Sequence, residues 1–202
     1  AGVKVEGNIG IPVVYIDRYI SASKIYIQSD NIEGGYLATK ELLDKGCKRI
    51  MILKDIRGIS SIVSRYNGYE KALKEAGILI DKDLICDVSK VDHEHAKNGI
   101  LEKINSNIKF DGIFATNDWM ALGAIGALSE RNIKVPEDVK VVGFDDMSIS
   151  AMTVPSITTI NQDTEKMGEH AIEILMDIIT NKDNSVRNIS IPVKLIKRRS
   201  TE

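Results

Sequence analysis

Short apolar runs of strand length recur along the chain, at 12–16, 24–28, 49–53, 84–88, 112–115, 139–144 and 188–196, and between most of them apolar residues return every three or four positions. Runs that are apolar on both faces, alternating with amphipathic helices, predict a parallel sheet covered by helices on both sides, an α/β architecture. Helices are expected at 32–43, 65–75, 92–104, 118–131 and 164–179. Asn31 is placed to cap the first and Gly46 to end it, and Gly77 ends the second in the same way. In the last, Met167, Ala171, Ile174, Leu175 and Ile178 form one stripe. Three polar segments, 28–31, 156–162 and 181–187, read as linkers, a spacing that lets the chain cross between two lobes more than once.

Charge then removes some function classes. Lys+Arg 27 against Asp+Glu 29 leaves a formal net charge of -2, so no nucleic-acid surface spreads over the whole molecule and any DNA contact must be local or lie elsewhere. No apolar run approaches the roughly 20 residues of a membrane-spanning helix, and residues 1–9 lack the layout of a signal peptide, so a cytoplasmic location is expected. Cys47 and Cys86 sit in separate apolar segments and read as buried thiols rather than a disulfide or a zinc site.

In open α/β sheets ligands bind beyond the carboxyl ends of the strands. Polar residues occupy four such ends: Asp17 with Arg18, Asp55 with Arg57 on a loop running toward Arg65, Asn117 with Asp118, and Asp145 with Asp146. Carboxylates, an amide and a guanidinium converging on one cleft suit the paired hydrogen bonds of a diol, hence a sugar-like ligand. For each residue taken singly, helix capping or turn formation explains it as well. Other candidates carry less. His93 and His95 have no further His or Cys nearby and read as an exposed helix start, so no metal is expected. Ser60 and Ser61 lack a G-x-S-x-G elbow, and Gly34–Gly35 lacks a phosphate-binding continuation, so neither nucleophilic catalysis nor a nucleotide cofactor is expected. Trp119 reads as core or interface, and the basic run at 197–199 as a solvated edge.

Seven strings, in order, resemble the LacI/GalR family of bacterial transcription regulators: IPVVYIDR (11–18), SDNIEGGYLATKELLDKGCKRI (29–50), SRYNGYEKALKEAGI (64–78), FDGIFATNDWMALGAIGAL (110–128), VPEDVKVVGFDD (135–146), PSITTINQDTEKMGEHA (155–171) and KLIKRRST (194–201). The resemblance implies a two-lobed effector-binding core similar to type 1 periplasmic sugar-binding proteins, with three crossovers and the ligand between the lobes. It implies the ligand-binding set Asp17, Arg65, Asn117, Asp145 and Gln162, and alanine at Arg65 or Asp145 in the intact protein is expected to abolish most of the effector response while leaving the fold. It also implies a homodimer, with Leu122 at a pairing position, and DNA contact through a domain outside this chain. Two departures stand out: Val91 lies where many relatives carry an aromatic for ring stacking, and Cys47 where histidine is common. Such regulators place a helix-turn-helix domain and the first strand–helix units before the position of Ile11. The expected division is therefore 1–30 as the remnant of an incomplete first lobe, 31–161 as the second lobe, 162–185 as a return to the first, and 186–202 as the final strand region of the second. The competing functions are a transport receptor for the same ligand class and a phospho-accepting receiver domain, the latter prompted by the Asp145–Asp146 pair.

Overall fold

The computed structural model describes residues 11–17, 25–181, 185 and 187–202; Arg18 lies outside them, as do the first residue of the strand expected at 24–28 and most of the linker expected at 181–187. Two sheets form. The larger has six strands in the order β4-β3-β5-β6-β7-β9, where β3 is Ile50–Asp55, β4 Ile85–Val88, β5 Gly112–Ala115, β6 Lys140–Asp145, β7 Thr158–Gln162 and β9 Val193–Ile196. All its pairings are parallel except that of β7 with β9. Strand β3 shows why its sequence is apolar throughout. Ile50 and Ile52 pack with α1 (Asn31–Asp44) and α2 (Ser60–Glu75), while Met51 and Leu53 pack with α3 (His93–Asn105) and α4 (Asp118–Glu130) on the opposite face.

The smaller sheet is parallel, in the order β1-β2-β8, where β1 is Tyr15–Ile16, β2 Ile25–Ser29 and β8 Arg187–Ile191. Helix α6 (Thr164–Asn181) covers it with Met167, Ala171, Ile174 and Ile178, four of the stripe residues, against Ile25, Ile27 and Ile191. The chain passes between the sheets at Asp30, Asp163 and Pro192. No helix among the described residues is long and apolar enough to cross a membrane.

Several expectations are corrected. The strand expected at 188–196 is two strands in different sheets, because Pro192 has no N–H to carry a ladder through. Strand pairing therefore puts 187–191 with the smaller sheet, past the division expected at 186, and Gln162 with the larger. The linker expected at 156–162 is mostly β7, an interior strand whose Thr158 and Thr159 are fully buried and hydrogen-bonded. A short helix, α5 (Ser148–Met152), was not expected. The cap of α1 is Asp30, whose Oδ1 accepts from the Glu33 N–H at 3.0 Å, leaving Asn31 free for another use. Helix α2 starts at Ser60, which sets Arg65 inside the helix rather than at its start. Within the run at 197–199, Lys197 and Arg199 are exposed as expected, Lys197 reaching the buried Glu41 at 2.7 Å, but Arg198 is turned inward and pairs with Asp146 at 2.7 Å.

Glycine decides how closely α1 and α2 approach. A Cβ at Gly35 would lie 2.1 Å from the Arg65 carbonyl oxygen, and one at Gly68 would lie 2.1 Å from that of Ile32. Both obstacles are backbone, so any side chain there separates the helices and carries Arg65 with them.

Candidate functional site

The site forms where β5, β6 and β7 end, with α2 and the end of β1 beside it. Arg65 stands at its centre, 4% exposed. Its guanidinium donates from Nε to Asn31 Oδ1 at 2.8 Å and from Nη1 to the Thr116 carbonyl at 2.6 Å and Asp145 Oδ1 at 3.4 Å. The Cζ atom lies 3.6 Å from the ring centroid of Phe144, so the cation sits over an aromatic face, worth about 2 kcal/mol when water is excluded. Asn31 is itself fixed by donation to the Ser29 carbonyl at 3.0 Å.

Asp145 collects the other polar groups. Gln162 Nε2 donates to its Oδ1 at 2.6 Å and Asn117 Nδ2 donates to its Oδ2. Asn117 also caps α4, because its Oδ1 accepts from the Trp119 N–H at 2.9 Å. Capping and site membership, which compete as readings of one asparagine, are both realised by opposite ends of the same amide. Burial pushes the Asp145 carboxyl up to about 6, with the Asp118 and Asp17 charges adding to the rise and the Arg65 cation and Asn117 amide opposing it. Burial lowers the Arg65 pKa, against the neighbouring charges of Asp145 and Asp17. Asp17 is half-buried at the end of β1 with a left-handed backbone, φ 67. Of the expected set, Arg65, Asn117 and Gln162 all donate to Asp145, and Asp17 is near enough for its charge to act on Arg65 and Asp145.

Two features distinguish the cluster from a closed, fully satisfied ion pair. The Oε1 atom of Gln162 is buried and has no hydrogen-bond partner among the described residues, a condition that costs about 1–3 kcal/mol and that a donor from a small molecule relieves. Asp145 has φ 107 and Asp146 φ 54, two successive non-glycine residues in left-handed conformation, each costing about 1–3 kcal/mol.

Asn31, Thr116 and Phe144 also build this place, which the sequence does not predict, and Asp118, one of the strand-end acids, lies beneath it rather than in the ligand-binding set. Asn31 was assigned to capping; the signal for its real role was the adjacent Asp30, which makes one of two polar residues redundant as a cap. Asp118 is fully buried, accepting from Thr159 Oγ1 at 2.6 Å and the Met147 N–H at 2.8 Å, and burial raises its pKa. It ties α4, β7 and the start of α5 together beneath the site.

Other polar candidates go elsewhere. Asp55 is buried under its own neighbour Arg57, whose Nε donates to both carboxylate oxygens at 3.0 and 2.8 Å. Asp146 accepts from Arg198 and Asn161. His95 pairs with Asp92 and His93 with Glu94, and no group of three metal-capable side chains occurs among the described residues. Val91 is half-buried against the α3–α4 core, and Trp119 is 42% exposed. Cys47 and Cys86 are free and buried, their thiols pushed up to about 11 by burial, out of the reactive range.

Comparison with known proteins agrees with this architecture. The periplasmic binding protein-like domain family matches residues 39–201. The HTH-type transcriptional repressor PurR of Haemophilus influenzae is 37% identical over 199 residues, covering 95% of this chain and 58% of that protein. The ribose operon repressor of Halalkalibacterium halodurans is 31% identical, covering 96% of this chain and 58% of that protein. The chain therefore spans 58% of the length of these curated relatives. Among solved structures, a complex of the transcriptional regulator CelR with cellobiose superposes with a TM-score of 0.89 at 31% identity, over 95% of this chain and 59% of that one. A LacI-family sugar-binding transcriptional regulator from Escherichia coli, complexed with phosphate, gives 0.83 at 30% identity over 94% of this chain and 68% of that one.

Proposed function

The chain belongs to the periplasmic binding protein-like domain family, in its LacI-type branch of transcriptional regulators, and from that premise we propose that it is the effector-sensing core of such a regulator. The ligand class we assign is a neutral sugar. The observation that carries this reading is the convergence of Arg65, Asn117, Gln162, Asp145 and Asp17 on one point, with a buried acceptor on Gln162 still unmatched. Vicinal hydroxyls both donate and accept. They suit carboxylate acceptors and amide or guanidinium donors standing side by side. Charge supports neutrality: Asp17 and Asp145 outnumber Arg65, and Asp118 adds a further acid below, so an anionic ligand would enter against like charge.

The two sheets correspond, on this proposal, to two lobes whose relative arrangement the ligand biases. That bias requires different affinities for the two arrangements. DNA contact belongs to a part of the regulator outside these residues.

Isothermal titration of the chain with D-ribose, cellobiose and inorganic phosphate tests the ligand class. One of the sugars, or a close relative in a wider panel of neutral saccharides, is expected to bind, and phosphate is not. Phosphate binding more tightly than every sugar would overturn the assignment.

Pairing of two copies is part of the same proposal. The half-buried Leu122 shares α4 with Trp119, 42% exposed, and α5, which packs against α4, carries Met152 at 74% and leads to Val154 at 92%. Sedimentation equilibrium at micromolar concentration is expected to find dimers, and Met152→Asp to shift them to monomer while leaving the far-ultraviolet circular dichroism of the folded chain unchanged. Monomer throughout that range for the unmodified chain would count against the pairing.

A further inference from the structure

The strained pair Asp145–Asp146 persists only where its surroundings hold it, and Asp146 is held by partners of its own, separate from the donors on the Asp145 carboxylate. Its Oδ1 accepts from Arg198 Nη2 at 2.7 Å and its Oδ2 from Asn161 Nδ2 at 2.9 Å, and its N–H points to Thr159 Oγ1 at 3.4 Å. The guanidinium has a second fixed end: Arg198 Nη1 donates to the Ile157 carbonyl at 2.9 Å. The Arg198 N–H donates to Thr158 Oγ1 at 2.8 Å, so its backbone is tied to β7 as well. Beyond it the chain is locked, with Ser200 and Thr201 fully buried and Ser200 Oγ bonded to the Val141 carbonyl at 2.5 Å. Arg198 thus reaches from a hydrogen-bonded segment that ends in buried residues to the residue whose peptide bond sets the direction of Asp145.

We propose that Arg198 is a positioning residue for the effector site: acting through Asp146 and touching no ligand, it holds the Asp145 carboxylate at the point where Arg65, Asn117 and Gln162 meet. The inference rests on the reading of Asp145 as an effector-binding group. Arg198 and Asp146 are 19% and 17% exposed, so the pair works largely out of solvent, where a two-ended guanidinium gives direction as well as charge.

The test follows the Asp145 carboxyl carbon by NMR across pH in the ligand-free chain and in Arg198→Gln, Arg198→Lys and Lys197→Gln. The charged groups acting on Asp145 are Arg65, Asp118 and Asp17, all left in place. Wild type is expected to titrate near 6. In Arg198→Gln the loosened carboxylate meets water, and the midpoint should fall by about half a unit or more, since desolvation is what raises it. Removing a nearby cation through space alone would raise it instead, so the sign separates release from a bare charge effect. Lys197→Gln removes the same charge from the same segment and should leave the midpoint unmoved. Arg198→Lys keeps the charge without the fork and should fall less than Arg198→Gln. The affinity for whichever of D-ribose and cellobiose the wild type binds should drop about tenfold in Arg198→Gln, which is 1.4 kcal/mol.

A midpoint in folded Arg198→Gln that is unchanged or raised overturns the proposal. Should that variant not fold, an unmoved midpoint in Arg198→Lys overturns it. A lowered midpoint in a chain whose wild type binds no sugar upholds the positioning by Arg198 and refutes the sugar reading.

Discussion

Arg65→Ala is expected to abolish sugar binding and to lower the melting temperature by roughly 10 °C at neutral pH, because stripping one partner from a buried ion pair costs about 3–5 kcal/mol and each kcal/mol shifts a chain of this size by about 2–4 °C. The sequence-based expectation was that this substitution spares the fold. The burial of Arg65 argues for a cost in stability instead: it is 4% exposed, and its loss would strand Asn31 Oδ1, the Thr116 carbonyl and the Asp145 carboxylate together. Without the guanidinium the Asp145 carboxyl, already at about 6, rises further. The stability deficit should therefore be largest above that pH and shrink as the medium becomes acidic enough to neutralise Asp145. Thermal melts of both proteins across pH, with calorimetry using the sugar bound by wild type, check the result. A deficit that does not change with pH would show that Arg65 serves packing alone.

Asp145→Asn should separate binding from stability. The folded carboxyl titrates near 6, above the unfolded value of about 3.9, so the folded state holds the proton more tightly. This group's contribution then falls as pH rises through the interval between those values, by as much as about 3 kcal/mol, and stays low above it. Asparagine carries no such slope. The stability of the variant relative to wild type should therefore climb from about pH 4 to about pH 6 and level off, in ligand-free protein. Sugar binding moves the other way. Loss of a charged acceptor costs about 1.5–3 kcal/mol, roughly a 10- to 100-fold weakening, and wild-type affinity should itself decline below pH 6 as Asp145 takes up a proton. Parallel stability curves for the two proteins would show that Asp145 is not the raised group.

Both results have the same origin. Asp145 is held ionised at neutral pH in a place that favours its neutral form, and its partners are arranged on several elements at once. Stability given up by a ligand-free site is a common accompaniment of binding function.

The alternation of apolar runs and amphipathic stretches was enough to determine the layered α/β architecture, the helices α1, α3, α4 and α6 to within a few residues, and the placement of Asp17, Asn117 and Asp145 at strand ends. These features depend on periodicity and local chain chemistry, which a linear string contains in full. What stayed hidden shares one physical cause: burial of polar groups satisfied by partners distant in sequence. Strand β7 looked like a linker because Thr158 and Thr159 are polar, and they are interior only because Thr201 and Asp118 receive them. Arg198 looked like a solvated edge because its partner, Asp146, lies 52 residues away. Asn31 looked like a cap until Asp30 took that role and Arg65, 34 residues on, claimed its oxygen. The crossing at Gly35 and Gly68, which sets where Arg65 stands, is a contact between two helix backbones that neither helix announces by itself. A polar side chain's cost is set by whether it finds a partner out of water, and only the folded chain decides which partners meet.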